Sequence, residues 1–326
     1  MAMWIAQQAA MEAISALEKA RVPYEHEIDV FSVIERAGLP LIFRPLRHFS
    51  GAYIPAGESA SSRAGILINS NHPRSLQRYT AAHEYAHHIQ DQTLSIDQET
   101  EIVERTQQTA LPERERFAEV FASWFLMPPQ LITTLKKRLG TNISYSNPED
   151  IYQLSLALGT SYRATITQLV SLKEISWAQA NQLRKWQPKE IKEKLSWDDL
   201  LIAPRNDIWV INKNYNDYCI HPRVGDELRL SLSEVPSTGY IWLIENLEPI
   251  MTLADQRFVE VETGIFGGGG IREFRFSIAQ AGTLNLILTM QRPWIGGESE
   301  TGSFHIRLIV EDERLGINPE MLLVKT

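Results

Sequence analysis

Apolar positions follow two different rhythms along the 326 residues, and the rhythm changes near residue 203. Up to about Trp197 they recur at three and four, as in Ile151 to Leu158 stopping at Gly159, which is the period of a helix with a glycine stop. Met1 to Ala20 likewise reads as an amphipathic helix carrying Glu12, Glu18 and Lys19. From Asp207 onward the period is two. Glu227 to Leu232, Thr283 to Leu288 and Phe304 to Val310 alternate apolar and polar residues with turn residues between them, which predicts a small all-β sandwich. Ala203 to Asp207 has the Pro and Asn punctuation of a linker. The length also exceeds the roughly 250 to 300 residues at which a single hydrophobic core stops growing. The pattern therefore predicts a multidomain α+β chain with a mainly helical part before residue 203 and an all-β part from about 205 to 326.

Composition narrows the class. With 44% hydrophobic and 22% charged residues, the chain reads as folded and water-soluble rather than disordered or membrane-spanning. No stretch reaches the roughly 18 consecutive apolar residues of a membrane helix. The first residues lack the basic start and long apolar run of a secretory signal. Thirty-two Lys and Arg against 40 Asp and Glu give a net charge of -8, so no global basic field draws nucleic acid. Cys219 is the only cysteine, which excludes an intrachain disulfide and a cysteine-ligated zinc cluster and fits a reducing compartment. A cytoplasmic location is the expectation.

The candidate chemistry lies in His83-Glu84-Tyr85-Ala86-His87, an HExxH motif. Tyr79, Ala82, Ala86 and Ile89 around it recur at helical spacing and are expected to form a buried face. On a helix, positions i and i+4 share one side, so His83 and His87 can aim two imidazoles at one ion. A zinc ion so held acidifies a water and polarises a carbonyl, and Glu84 is placed to take and pass on the proton. The same five letters arise by chance on ordinary helices, so context decides. Catalytic zinc takes a third protein ligand. Downstream, Glu115, Ala118, Ala122 and Phe125 share one face of a strong helix, which sets Glu115 on an apolar stripe with small neighbours. Beside Glu113, Arg114 and Arg116, Glu115 also reads as a solvated surface charge, and Glu119 one turn on is an alternative ligand or an acceptor for an imidazole N–H.

Here the chain resembles the ImmA/IrrE-type zinc metallopeptidases. The resemblance rests on Val30 to Leu41, on Gly65 to Asn69 as the strand before the motif, on Tyr79 to His87, and on Glu115-x-x-Ala118-x-x-Phe121-Ala122 leading into Leu126-Met127-Pro128. It covers roughly residues 1 to 200. It implies a zincin-like metallopeptidase core with a small sheet over 1–130, a helix-turn-helix-like helical extension over 131–202, one Zn2+ held by His83, His87 and Glu115, and Glu84 as catalytic base. The implied substrate is a helix-turn-helix regulator protein, cut in stress response or mobile-element control. The family often has Asn at the position of Glu119. Leu154 to Leu169 echoes a helix-turn-helix, but with only Arg163 in its second half and an acidic chain overall, a supporting role is expected there rather than DNA contact.

Three loops of the β region stand out: Val235 to Trp242 with Thr238, Gly239 and Tyr240; Gly267-Gly268-Gly269-Gly270; and Arg292-Pro293-Trp294. Alternate loops of a sandwich gather at one end, glycine lets a backbone approach a partner, and a Trp beside Pro is a stiff apolar anchor. Trp242 is expected in the core, while Trp294 is open between core and exposed anchor. The loops resemble the three inhibitory loops of chagasin-like inhibitors of papain-family cysteine peptidases, which implies an immunoglobulin-like sandwich whose Thr238 and Gly239 approach a target peptidase, flanked by the glycine loop and Trp294. Val235 replaces the usual Asn, and Ile295 replaces a frequent acidic residue. These departures favour a recognition or regulatory module over an inhibitor. The remaining alternative is an inhibitor or binding module whose peptidase-like half is a scaffold.

Overall fold

A computed structural model describes residues 2–57, 63–98, 112–140, 144–196, 206–247, 249–260, 269–294 and 302–310. They fall into two compact units, one formed by residues 2–135 with 154–181, the other by 136–153 with 182–310.

In the first unit a four-stranded sheet has the order β1-β3-β2-β4, from β1 (Leu41–Arg44), β2 (Phe49–Ile54), β3 (Gly65–Asn69) and β4 (Ser95–Gln98). β1 runs parallel to β3, and β2 is antiparallel to both β3 and β4. Helix α3 (Arg74–Gln90) lies against β2 and β3, α2 (Val30–Arg36) packs beside α3 and β1, and α4 (Glu113–Leu126) packs between α3 and α1 (Ala2–Lys19). α3 carries the HExxH motif and is enclosed along its middle: from Thr80 to His87 every residue is buried, not only the face that the apolar spacing predicts, whereas Tyr79 and Ile89 of that predicted face are only half-buried. The reason is that it packs against both β2 and α4. The approach to α4 is set by Ala118 and Ala122, both fully buried, and by Tyr85, whose ring meets Phe121 and Phe125 edge-on at 5.9 Å each. Arg78, 1% exposed, lies 3.1 Å from Glu27 and donates to the Leu158 carbonyl at 3.3 Å, fastening α3 below the motif.

Beyond α4, the chain continues through α5 (Pro129–Leu139), α6 (Pro148–Leu158), α7 (Tyr162–Ser171), α8 (Trp177–Leu183) and α9 (Pro188–Leu195). Gly159, at φ +64°, turns α6 into α7, and the Ser161 side chain caps α7 by accepting from Ala164 N. Gln168 of α7 donates to the Met127 carbonyl at 3.1 Å in a buried contact, so α7 braces the first unit.

The second unit contains two four-stranded sheets, in the orders β5-β7-β10-β9 and β6-β12-β11-β8. Their strands are β5 (Ile208–Asn212), β6 (Tyr218–Ile220), β7 (Glu227–Glu234), β8 (Ile241–Ile244), β9 (Met251–Glu260), β10 (Gly270–Ile278), β11 (Gly282–Gln291) and β12 (Gly302–Val310). The alternation read from the sequence is realised: Leu228, Leu230 and Leu232 are buried, as are Leu284, Leu286 and Leu288 and, on β12, Phe304, Ile306 and Leu308. Two pairings are parallel, β5 with β7 and β6 with β12. Edge strand β5 is closed by a side chain. Gln153 of α6 donates to the Ile208 carbonyl at 2.8 Å and accepts from Val210 N at 2.9 Å, as a neighbouring strand would.

Candidate metal centre and loop surface

α3 and α4 bring three ligand groups together. Ligand atoms of His83, His87 and Glu115 all lie within 4.8 Å of one another. Glu115 Oε2 is 3.2 Å from His83 Nε2, and its Oε1 is 3.6 Å from His87 Nε2. The sequence places Glu115 in the first turn of α4, where a carboxylate also suits the positive end of the helix dipole. Glu119, half-buried one turn later, does not join this group. Both imidazoles are fully buried. Burial above all, helped by the neighbouring His83 and opposed by Glu115, lowers His87 to about 4, so the ring is neutral near pH 7.

Those facts test whether the site suits a cation. His87 Nε2 is buried and makes no hydrogen bond among the described residues, and a neutral imidazole nitrogen left unsatisfied beside a carboxylate is a ligand in waiting. Two imidazoles and one carboxylate are the donor set of an open catalytic zinc site. The residues fit a metal ion.

Glu84 lies on another side of α3. It is fully buried, and its Oε2 accepts a hydrogen bond of 2.9 Å from the backbone N–H of Tyr53 on β2. Arg114, which precedes Glu115 and reads in the sequence as part of a charged run, has a place that spacing does not reveal. Its Nε donates to His87 Nδ1 at 3.0 Å and lies 2.9 Å from the Asp91 carboxylate, while Nη2 donates to the Thr93 carbonyl at 2.9 Å.

In the second unit the first and third loops meet. Gly239 is left-handed at φ +78°, and a Cβ there would lie 2.7 Å from the Trp294 ring. Arg292 Nε donates to the Thr238 carbonyl at 3.1 Å, and its guanidinium sits 4.5 Å over the Tyr240 ring. The Thr238 hydroxyl donates to the Val235 carbonyl at 2.7 Å. Trp294 is 69% exposed, which excludes the core position of the two that the sequence leaves open. Trp242 corrects the expectation of a core position: it is only half-buried, because its indole N–H donates to the Ser233 carbonyl at 2.9 Å and holds the ring at the strand edge. Gly269 and Gly270 adjoin Val235 and Phe258; Gly267, Gly268 and Ile295 lie outside the described residues.

Both resemblances are matched by comparison with known families. Residues 34–166 match the peptidase M78 model, described as the IrrE N-terminal-like domain. Residues 222–308 match the chagasin family peptidase inhibitor I42. Chagasin from Trypanosoma cruzi is 25% identical over 103 residues, which cover 30% of this chain and 94% of that protein. Amoebiasin-2 from Entamoeba histolytica is 26% identical over 106 residues, covering 32% of this chain and 85% of that protein. Among solved structures, the cysteine protease inhibitor EhICP2 from Entamoeba histolytica matches at 24% identity with a TM-score of 0.30, covering 33% of this chain and 100% of that one. The chain therefore joins a domain similar to IrrE-type metallopeptidases to one similar to chagasin-type inhibitors.

Proposed function

We propose that the protein is a cytoplasmic zinc-dependent endopeptidase that cuts a helix-turn-helix regulator protein of the Xre type, with the chagasin-like unit as a recognition or regulatory module. The observation that carries this reading is the convergence of His83, His87 and Glu115, with the buried Glu84 next to His83 on the same helix. His83, His87 and Glu115 would hold one Zn2+. When bound, the ion supplies a Lewis acid that polarises a peptide carbonyl and makes a water acidic near neutral pH. The chain's own residues do the rest. Glu84 accepts the proton of the attacking water and returns it to the departing amine, so that the carboxylate is regenerated at the end of the cycle. Burial of the α3–α4 face keeps the carboxylate and imidazoles in a low-dielectric site where their charges act strongly. The enclosure of α3 by β2 and α4 fixes their geometry before substrate arrives.

The test is zinc content together with cleavage of a purified helix-turn-helix regulator of the Xre type, by wild type and by Glu84→Gln. Equal cleavage by the two would sink the mechanism.

A second reading concerns the loop surface. Chagasin and its relatives are peptidase inhibitors by name, and the Thr238–Gly239 turn, braced by Arg292 and Trp294, supports a surface that receives a papain-like cysteine peptidase or another protein. Titration of the full chain against papain separates an inhibitor from a module that only binds. Inhibition without any metal-dependent cleavage would make the peptidase-like unit a scaffold.

A further inference from the structure

α3 turns two faces to two neighbours. His83 and His87 face Glu115 on α4, whereas Thr80 and Glu84, also four apart, face β2. The second contact is unusually close, and a single residue permits it. Gly51 sits inside β2 next to an irregularity in the β2–β4 register between Phe49 and Gly51. A Cβ at Gly51 would lie 2.6 Å from the backbone oxygen of Leu67 and would also collide with the Thr80 side chain. An isolated glycine in a strand marks such a bulge or close approach. Because α3 rests directly on the strand at Gly51, the Glu84 carboxylate two residues along β2 reaches the Tyr53 N–H at 2.9 Å.

We infer that Gly51 and the Tyr53 backbone N–H are positioning groups for the general base: the glycine sets the height of α3 over the sheet, and the N–H fixes one oxygen of Glu84 so that the carboxylate has a single orientation toward the reacting water. The inference rests on the peptidase reading and goes beyond it, since neither group belongs to the metal-binding trio. A base within hydrogen-bond reach of its proton is effective only in the right orientation, and misplacement by about 1 Å costs on the order of 100-fold in rate.

The experiment replaces the Tyr53 N–H by an ester oxygen, through incorporation of the α-hydroxy analogue of tyrosine in the full chain, and compares it with Gly51→Ala. Zinc-loaded proteins are assayed on an internally quenched peptide library, and zinc affinity is measured separately by competition with a chelator. The ester protein is expected to lose at least about tenfold in kcat with KM and zinc affinity within about twofold of wild type, and Gly51→Ala to lose more, with zinc still bound. A purely structural role would lower Tm and leave kcat intact. Wild-type kcat in the ester protein overturns the inference, whatever Gly51→Ala does to folding. Absence of turnover in the zinc-loaded wild type would instead remove the peptidase reading itself.

Discussion

The two units hold their informative residues in opposite ways. In the first, His83, Glu84 and His87 are fully buried, and their positions are set by helix packing at Ala118, Ala122 and Gly51. In the second, Thr238, Gly239 and Trp294 stand at the end of a β unit, with Trp294 69% exposed, and their positions are set by contacts among the loops themselves. A buried polar group must be satisfied by protein or by a ligand, so an open imidazole nitrogen in the first unit is itself a statement about function. An exposed aromatic carries no such obligation. What distinguishes the loops is that they are held: the left-handed Gly239 and the Arg292 bond fix the turn, and a turn fixed beforehand would limit the ordering cost of any association proposed for it.

The largest effect that would break this contrast lies at Glu84. Glu84→Gln is expected to lower kcat by roughly 100- to 10,000-fold, the range for loss of a general base, while zinc affinity and the loop surface stay as in wild type. His83→Ala is expected to remove stoichiometric zinc, measured by metal analysis after gel filtration. If a buried-site change such as Glu84→Gln altered binding at the loops as strongly as cleavage, the units would not be separate in function.

A second prediction concerns what the β unit needs from outside its strands. Gln153→Ala leaves the Ile208 carbonyl and the Val210 N–H of the β5 edge without their partner. Each such loss costs roughly 1 to 3 kcal/mol where water cannot replace it, so a destabilisation of about 3 kcal/mol is expected in urea unfolding of the full chain. A change below about 0.5 kcal/mol would mean that the β unit stands without its helical edge.

Strands β7, β11 and β12 and the motif helix were legible in the sequence, because period two and period 3.6 are written directly into Leu228, Leu230, Leu232 and into the spacing of His83 and His87, whereas short or irregular strands such as β2, β4, β5 and β6 carry too few alternating positions to stand out. The third member of the metal trio was not legible from spacing, which leaves Glu115 a solvated charge with Glu119 as its rival; only the resemblance to the ImmA/IrrE-type peptidases put Glu115 in the ligand position. Arg114 was not legible, since nothing in a charged run tells which guanidinium turns inward to an imidazole. Gln153 was equally hidden: a glutamine on a helix gives no sign that it will act as one residue of a strand. Trp242 misled because hydrophobicity suggests burial, whereas its indole N–H is held at the strand edge by the Ser233 carbonyl.

The β unit should also respond to pH. The Asp226 carboxyl, 3% exposed, accepts from Asp207 N at 2.7 Å, Arg223 N at 2.9 Å and the Trp209 indole at 3.2 Å. Burial, and after it the charge of Asp207, push it up to about 6 from 3.8. Between those values the native state binds more protons than the unfolded one, so stability falls as pH rises from about 4 to about 6. The loss is on the order of 2 kcal/mol at pH 7 relative to pH 4. Urea midpoints followed by tryptophan fluorescence should show that slope in wild type and lose it in Asp226→Asn; an identical slope in both would assign it elsewhere.

The smallest effect on stability is expected at the loop surface, where the contrast between the units is sharpest. Trp294→Ala removes a ring that is mostly in water already, so unfolding should change by no more than about 0.5 kcal/mol, the usual range for surface positions. If Trp294 anchors a papain-like peptidase or another partner, the same substitution should weaken that complex by about 2 kcal/mol, close to 30-fold, as loss of an aromatic anchor does. Gly239→Ala tests the same surface through the backbone: an L side chain is strained at φ +78°, and its methyl would meet the Trp294 ring. Binding should therefore fall in Gly239→Ala even though the anchor is still present. Loss of binding in Trp294→Ala with none in Gly239→Ala would leave the ring as an anchor but show that the turn is not held in a binding shape beforehand.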